Sequence, residues 1–315
     1  MGSNPTPRII SIISLLITDA DASLRGMSGN LYKVDAFNQV VVSELKLEEG
    51  DRRWLARAAG EVAEMLKKLE VNEIIRILDF YDASLLNPAS LHTPLAREEE
   101  ELIKRLVGED RVKNTILLKT KALIFAPSIL APSPRYLDYG TAIHRRFFIH
   151  SAWFSIIALN EAYLTSASEL MLRYMIEHEI AQGELYKVLS EQRVRSPDRE
   201  MKRLIYEKAR LRAIQQSGIE EEELEKERQL ILELCSKYPV IPVHFASAAL
   251  FIYLDKNWAT VKQFGVPSRD DIEEELAKTN FSAWADASLE LFRLFLKELR
   301  KALAMTGVEY GVAIV

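Results

Sequence analysis

Apolar positions recur at helical spacing over most of this chain and at strand-like spacing near its start. From Asp51 to Glu70 the residues Leu55, Ala58, Val62, Met65, Leu66 and Leu69 repeat every three or four positions, which predicts an amphipathic helix. Asn72 is placed to cap a shorter helix over 73–80, and Asn87-Pro88 stops it. Thr93 or Pro94 opens a helix over 95–107 that Gly108 ends. Before these, Ile9–Ile17 reads as a buried strand or short helix. Leu31–Leu47 is rich in β-branched residues and reads as strand. Residues 113–126 read as extended.

Pro127, Pro132 and Pro134 then make a segment that no helix or central strand crosses. Beyond it the pattern predicts helices over 141–164, 167–190, 198–216, 220–236, 242–256, 269–278 and 282–305, with Gly307 as a final stop. The tail 308–315 returns to strand chemistry. The expected fold class is α+β, predominantly α-helical, with a small N-terminal strand-containing part followed by a helical bundle-like part. The expected division is 1–126 as a mixed α/β part, 127–140 as a proline-rich loop, and 141–315 as a helical part with a C-terminal strand.

The helix over 168–189 carries the most informative pattern. On a wheel at about 100° per residue, Met171, Tyr174, Met175, His178, Gln182, Leu185 and Leu189 form one stripe, widened by Leu172, Ile176 and Ile180. Arg173, Glu177 and Glu184 share a narrow polar arc. His178 and Gln182 thus lie one turn apart inside an apolar stripe, with Glu179 at its edge. Gly183 leaves room for another backbone to approach. Buried polar groups need partners. The imidazole and amide either bond neighbouring helices as a core network or hold a metal ion, since residues four apart on a helix both reach one cation.

The stretch His178-Glu179-Ile180-Ala181-Gln182 resembles the HExxH helix of zincin-type metallopeptidases, with glutamine in place of the second histidine. The resemblance covers five residues of 315 and implies His178 as a zinc ligand and Glu179 as the general base. Gln182 stands at the second ligand position, where its neutral, hard amide oxygen is a poor match for zinc. His244, in the first turn of an apolar helix, and Glu161, a carboxylate in an apolar stretch, are the candidate distant ligands.

Composition narrows these readings. The chain is 48% apolar and 28% charged with a formal net charge of −5, which fits a globular protein and argues against a general nucleic-acid coat. The basic stretches 144–150 and 193–212 keep RNA contact open as a third reading; an amphipathic helix start with its arginines paired to acids is the simpler account of 144–150. One cysteine, Cys235, excludes an intrachain disulfide. No segment reaches the roughly 18 apolar residues a membrane span needs. Asp19 and Asp21 flank the would-be cleavage site after the short signal-like run Ile9–Ile17, so a cytoplasmic location is expected. The helix-face ion pairs are compatible with a thermophile. The Gly-rich phosphate loops, GxSxG, CxxC and Glu-x-x-His are all absent. Two function classes stay open: a helical scaffold or interaction protein with a buried His/Gln network that binds a protein partner or itself, and a zincin-like hydrolase using His178 and Glu179, with zinc as the cofactor.

Overall fold

The computed structural model describes residues 33–34, 40–41, 49–127, 137–149, 152–191, 198–257 and 281–307. The segment 9–17, most of the β-branched run, the loop prolines 132 and 134, the helix expected over 269–278 and the C-terminal tail lie outside them.

The molecule is α+β and dominated by helices. A two-residue antiparallel ladder joins β1 (Lys33–Val34) to β2 (Val40–Val41). Helix α1 (Glu49–Leu66) buries Leu55, Ala58, Ala59, Val62, Ala63 and Leu66, the stripe that its spacing dictates. It packs on α10 (Phe281–Met305), whose own stripe is Phe292, Phe295, Leu296, Leu299 and Leu303. Helix α2 (Val71–Leu86) runs longer than its pattern suggested and starts at Glu70, whose backbone N–H bonds the Glu73 carboxylate at 3.1 Å. A single 3₁₀ turn (Pro88–Leu91) leads to β3 (His92–Pro94). Then come α3 (Arg97–Val107), closed by Gly108 at a φ of 90°, and the short α4 (Glu109–Val112).

Two small sheets sit among the helices. The first has the order β3-β4-β8-β7, with β4 (Thr115–Thr120) parallel to β8 (Ala152–Asn160) and β7 (Ala142–Ile149) antiparallel on the edge. The second has the order β6-β5-β9: β5 (Leu123–Pro127) pairs antiparallel with β6 (Leu137–Gly140) and parallel with β9 (Val240–Pro242). Both sheets join strands from either side of the proline-rich segment. One buried cluster likewise runs from Leu55 through Leu118 and Ile157 to Leu303.

The region 141–164 is therefore not the helix that its hydrophobicity suggested. It is a β-hairpin, β7 and β8, followed by the single-turn α5 (Glu161–Ser166). Ile156 through Leu159 are all fully buried because β8 lies between two strands and is covered on both faces. A strand covered on both faces shows no period of two, and a continuous apolar run then reads equally well as buried helix.

The remaining helices are close to expectation: α6 (Glu169–Glu191), α7 (Arg199–Ser217), α8 (Glu221–Cys235) and α9 (Val243–Lys256). The Tyr81 hydroxyl exchanges two 3.1 Å hydrogen bonds with the Val240 backbone, which fixes β9 against α2. Phe292 stacks on Phe245 at 3.9 Å and meets the edge of Tyr81 at 5.8 Å, so α10 seals the same region. Strand β9 passes directly into α9, and this places the first turn of α9 beside β7.

Candidate functional site

Strand β7 presents His144 and Arg146 on one face and Arg145 on the other, as side chains alternate along a strand. The first face meets α6 at Gly183. A Cβ there would stand 2.6 Å from His144 Cε1, so only glycine admits the imidazole. Arg146 donates to the Gly183 carbonyl and lays its guanidinium 5.3 Å from the centre of the Tyr186 ring. Arg145 donates to Ser247 Oγ on α9 and, at 2.7 Å, to the His144 carbonyl.

Glu179 of α6 reaches into this cluster. Its Oε2 lies 3.7 Å from His144 Nδ1, with the two side chains 16% and 7% exposed. Burial pushes the Glu179 carboxyl up to about 7, against the pull of Arg145. Burial holds His144 down to about 3, aided by Arg146, Arg145 and a smaller contribution from His178. His178 is held to about 4 by burial and then by Arg210, and His244 to about 4 by burial, Arg145 and Lys202. All three imidazoles are therefore neutral at physiological pH.

His178 packs between Tyr206 of α7, at 4.8 Å between ring centres, and Tyr174 of its own helix, at 6.3 Å. Its Nδ1 and His144 Nε2 are buried with no hydrogen-bond partner among the described residues. Gln182 is half-buried, and among the described residues no hydrogen bond joins it to His178. Glu161 begins α5 and accepts a 3.3 Å hydrogen bond from Thr93 of β3, the opposite edge strand of that sheet. His244 occupies the first turn of α9, as its position after Pro242 indicated.

Glu179 meets His144 directly, His178 acts on His144 and Arg145 on His244 through their charges, and Glu161 is tied to the opposite edge strand. Among the described residues, no group of three or more His, Cys, Asp or Glu side chains is gathered so as to hold a metal ion. Arg145, Arg146, Lys202 and Arg210 act on the imidazoles as positive charges, and the Glu179 carboxyl stands beside His144 as the negative one.

The sequence pattern offers the stretch 144–150 as an amphipathic helix start with acid-paired arginines or as an RNA contact. The structure makes it strand through Ile149, and Arg146 is only 6% exposed, engaged by a carbonyl and an aromatic ring. Its link to Glu179 is long-range and carries no local signal. Ser247 and Tyr186 carry no signal in the sequence, and Lys202 stands in the basic stretch 193–212. In the second basic stretch, Arg203 pairs with Glu200 and Glu207, and Arg212 with Glu184, as on an ordinary solvated helix face.

No protein-family model matches this chain, and no curated protein or solved structure matches it. No helix among the described residues is long and apolar enough to cross a membrane.

Proposed function

We propose that the protein is an enzyme with acid–base chemistry of the hydrolytic type, in which Glu179 is the general base and His144 its proton partner. The observation that carries this reading is the approach of Glu179 Oε2 to His144 Nδ1 at 3.7 Å in a largely buried setting beside Arg145. A general base works best when its pKa lies near the working pH, and the Glu179 carboxyl is pushed up to about 7. The carboxylate then takes a proton from a water or hydroxyl nucleophile. Neutral His144 is a few tenths of an ångström from hydrogen-bond contact with it. Tyr186 and Arg146 wall the site from the α6 side, and Gly183 lets the imidazole sit close to that helix.

The test is a panel of chromogenic ester, phosphoester and peptide substrates, assayed with the wild-type chain and with Glu179→Gln. The reading expects turnover whose rate rises with pH through about 7, falling about a hundredfold or more in the variant, the scale of one general base. Turnover that persists in Glu179→Gln, or a wild-type chain inert across the panel, would return the cluster to a buried polar network within a scaffold or interaction protein.

A further inference from the structure

Two buried carboxyl groups of the molecule are held in different ways. Glu177 meets Arg111 at 2.9 Å. Glu227 of α8 is 7% exposed and makes no ion pair among the described residues. Arg228, the next residue along α8, is drawn instead to Glu225 at 3.1 Å on the exposed face. What Glu227 has is one hydroxyl: Tyr163 Oη of α5 stands 2.7 Å from its Oε1.

Tyr163 is fully buried, and its hydroxyl has a second acceptor in reach, the Met171 carbonyl at the start of α6, at 3.3 Å. A phenol has one proton to give, so the two acceptors compete for it. When Glu227 is protonated, its O–H donates to Tyr163 Oη and Tyr163 donates onward to Met171. That chain of two bonds ties α8 through α5 to α6. When Glu227 is ionised, the phenol proton turns to the carboxylate, the stronger acceptor, and the bond to α6 is given up. The same step leaves a charge buried with one hydrogen bond and no counter-ion in contact, which is costly. The neutral form therefore suits the docked helix. Burial accordingly pushes the Glu227 carboxyl up to about 7, with Tyr163 and then Arg228 pulling against it.

The titratable and charged groups around Glu227 come from every element near it: Tyr163 from α5, Tyr174 from α6, Tyr206 and Arg210 from α7, Asp138 and Tyr139 from β6, and Arg228 and Cys235 from α8 itself. Burial raises the four tyrosine hydroxyls and the thiol above their ordinary values, so none of these five changes charge between pH 5 and 8. Along α8 only Leu224, Glu227, Leu234 and Cys235 are buried. One carboxyl is thus a quarter of the docked face, and its charge weighs on whether the helix stays down.

We propose that Glu227 and Tyr163 form a proton-operated latch, which holds α8 on α5 and α6 while the carboxyl is protonated and loosens it when the carboxyl ionises. In the opened helix the carboxyl returns to its ordinary value of 4.5. The latch is therefore fully set below 4.5 and is lost as pH rises towards 7. Opening uncovers Cys235, the one cysteine of the chain, which is 1% exposed when α8 is docked. The latch does not depend on Glu179 acting as a base.

The test is hydrogen exchange of the full chain by mass spectrometry from pH 5 to 8. Protection of α8 amides, corrected for intrinsic exchange at each pH, is read relative to α1, which lies apart from the latch. In the wild-type chain this ratio falls by up to about tenfold per pH unit between 5 and 7, the slope of one proton, and levels off above 7. Alkylation of Cys235, normalised to the urea-unfolded chain at the same pH, rises over the same range. Glu227→Gln keeps a neutral hydrogen-bonding group and holds the ratio at its acid value throughout. Tyr163→Phe removes the donor to the carboxylate and moves the levelling-off to higher pH. Both variants are first shown by circular dichroism to be folded, and the wild-type profile decides without them. A wild-type ratio that stays constant from pH 5 to 8 would overturn the latch. So would a fall that survives in Glu227→Gln, or a profile that Tyr163→Phe leaves unmoved.

Discussion

Two glycines within helices make opposite demands, and only their neighbours distinguish them. Gly183 in α6 faces His144 Cε1 at 2.6 Å from where a Cβ would sit, while Gly60 in α1 has nothing within 4 Å. Alanine in a helix interior gains up to about 1 kcal/mol over glycine. Gly60→Ala is therefore expected to stabilise the protein by about 0.5–1 kcal/mol in urea unfolding. Gly183→Ala receives the same gain but forces the imidazole off its place and displaces Arg146 from the Gly183 carbonyl. Overpacking of this kind costs about 1–3 kcal/mol, so the net effect is destabilising. A stabilised Gly183→Ala would mean that His144 is not packed against α6. The sequence itself shows that Gly183 permits a close approach. It does not show that a side chain 39 positions earlier makes that approach, because nothing local to either residue encodes the contact.

Among elements, most helices announced themselves, and so did β4 and β5 within the extended run 113–126, while β7 and β8 did not. Helices α1, α6, α7, α8, α9 and α10 each carry their own apolar period, so their limits were readable to within a few residues. Strands β7 and β8 were read as helix because the continuous apolar run of β8 has lost alternation through burial on both faces. Packing between elements adds a further layer that sequence patterns leave open. Arg111 of α4 bonds Glu177 of α6 at 2.9 Å and reaches Glu184 at 3.6 Å. Gln216 of α7, with its amide oriented to suit both, donates to Glu177 at 2.9 Å and accepts from Arg111 at 3.1 Å. This joins α4, α6 and α7 through one carboxylate whose side chain is 4% exposed. Arg111→Ala would leave that carboxylate buried with less compensation, and a loss of about 2 kcal/mol is expected at pH 7, below the range for a fully buried pair because Arg111 is itself 30% exposed. Burial already raises the Glu177 carboxyl against Arg111, so removing the arginine raises it further. The loss must therefore shrink as pH falls and Glu177 becomes neutral. Urea unfolding at pH 7 and pH 4.5 checks this. An equal loss at both values would assign the effect to packing instead of charge. The exposed pair of Arg97 with Glu101 is the control, and its removal is expected to change nothing measurable.

For the whole molecule, one buried cluster joins residues from both sides of the proline-rich segment. Strand pairing between residues 115–120 and 155–160, and between 123–125 and 240–242, was invisible because parallel partners are brought together by topology and not by neighbouring turns. That core also contains most of the titratable chemistry, which fixes how stability depends on pH. Burial holds His92, His178 and His244 down to about 4 and His144 to about 3, against 6.5 in the unfolded chain. Each histidine contributes stability that is fully present above 6.5 and is lost as pH falls towards its folded value. Glu179 and Glu227 act in the opposite sense: burial pushes both up to about 7 from 4.5, so their neutral forms favour folding at low pH and this contribution is lost as pH rises towards 7. Near pH 5.5 the unfolded chain binds about four more protons on the histidines and about two fewer on the glutamates. The net uptake of about two protons on unfolding corresponds to about 2–3 kcal/mol per pH unit. Stability is therefore expected to fall steeply from pH 6.5 to 4.5 and to change little, with a slight decline, from 6.5 to 8. Thermal unfolding across that range, with His92→Gln as a variant outside the candidate site, would measure the slope. His92 accounts for about one proton, so the variant should lose about a third to a half of the acid slope even though its own core is loosened. A melting temperature that is flat or rises between pH 6.5 and 4.5 would show that these imidazoles are protonated in the folded protein, and the neutral His144 required beside Glu179 would go with them.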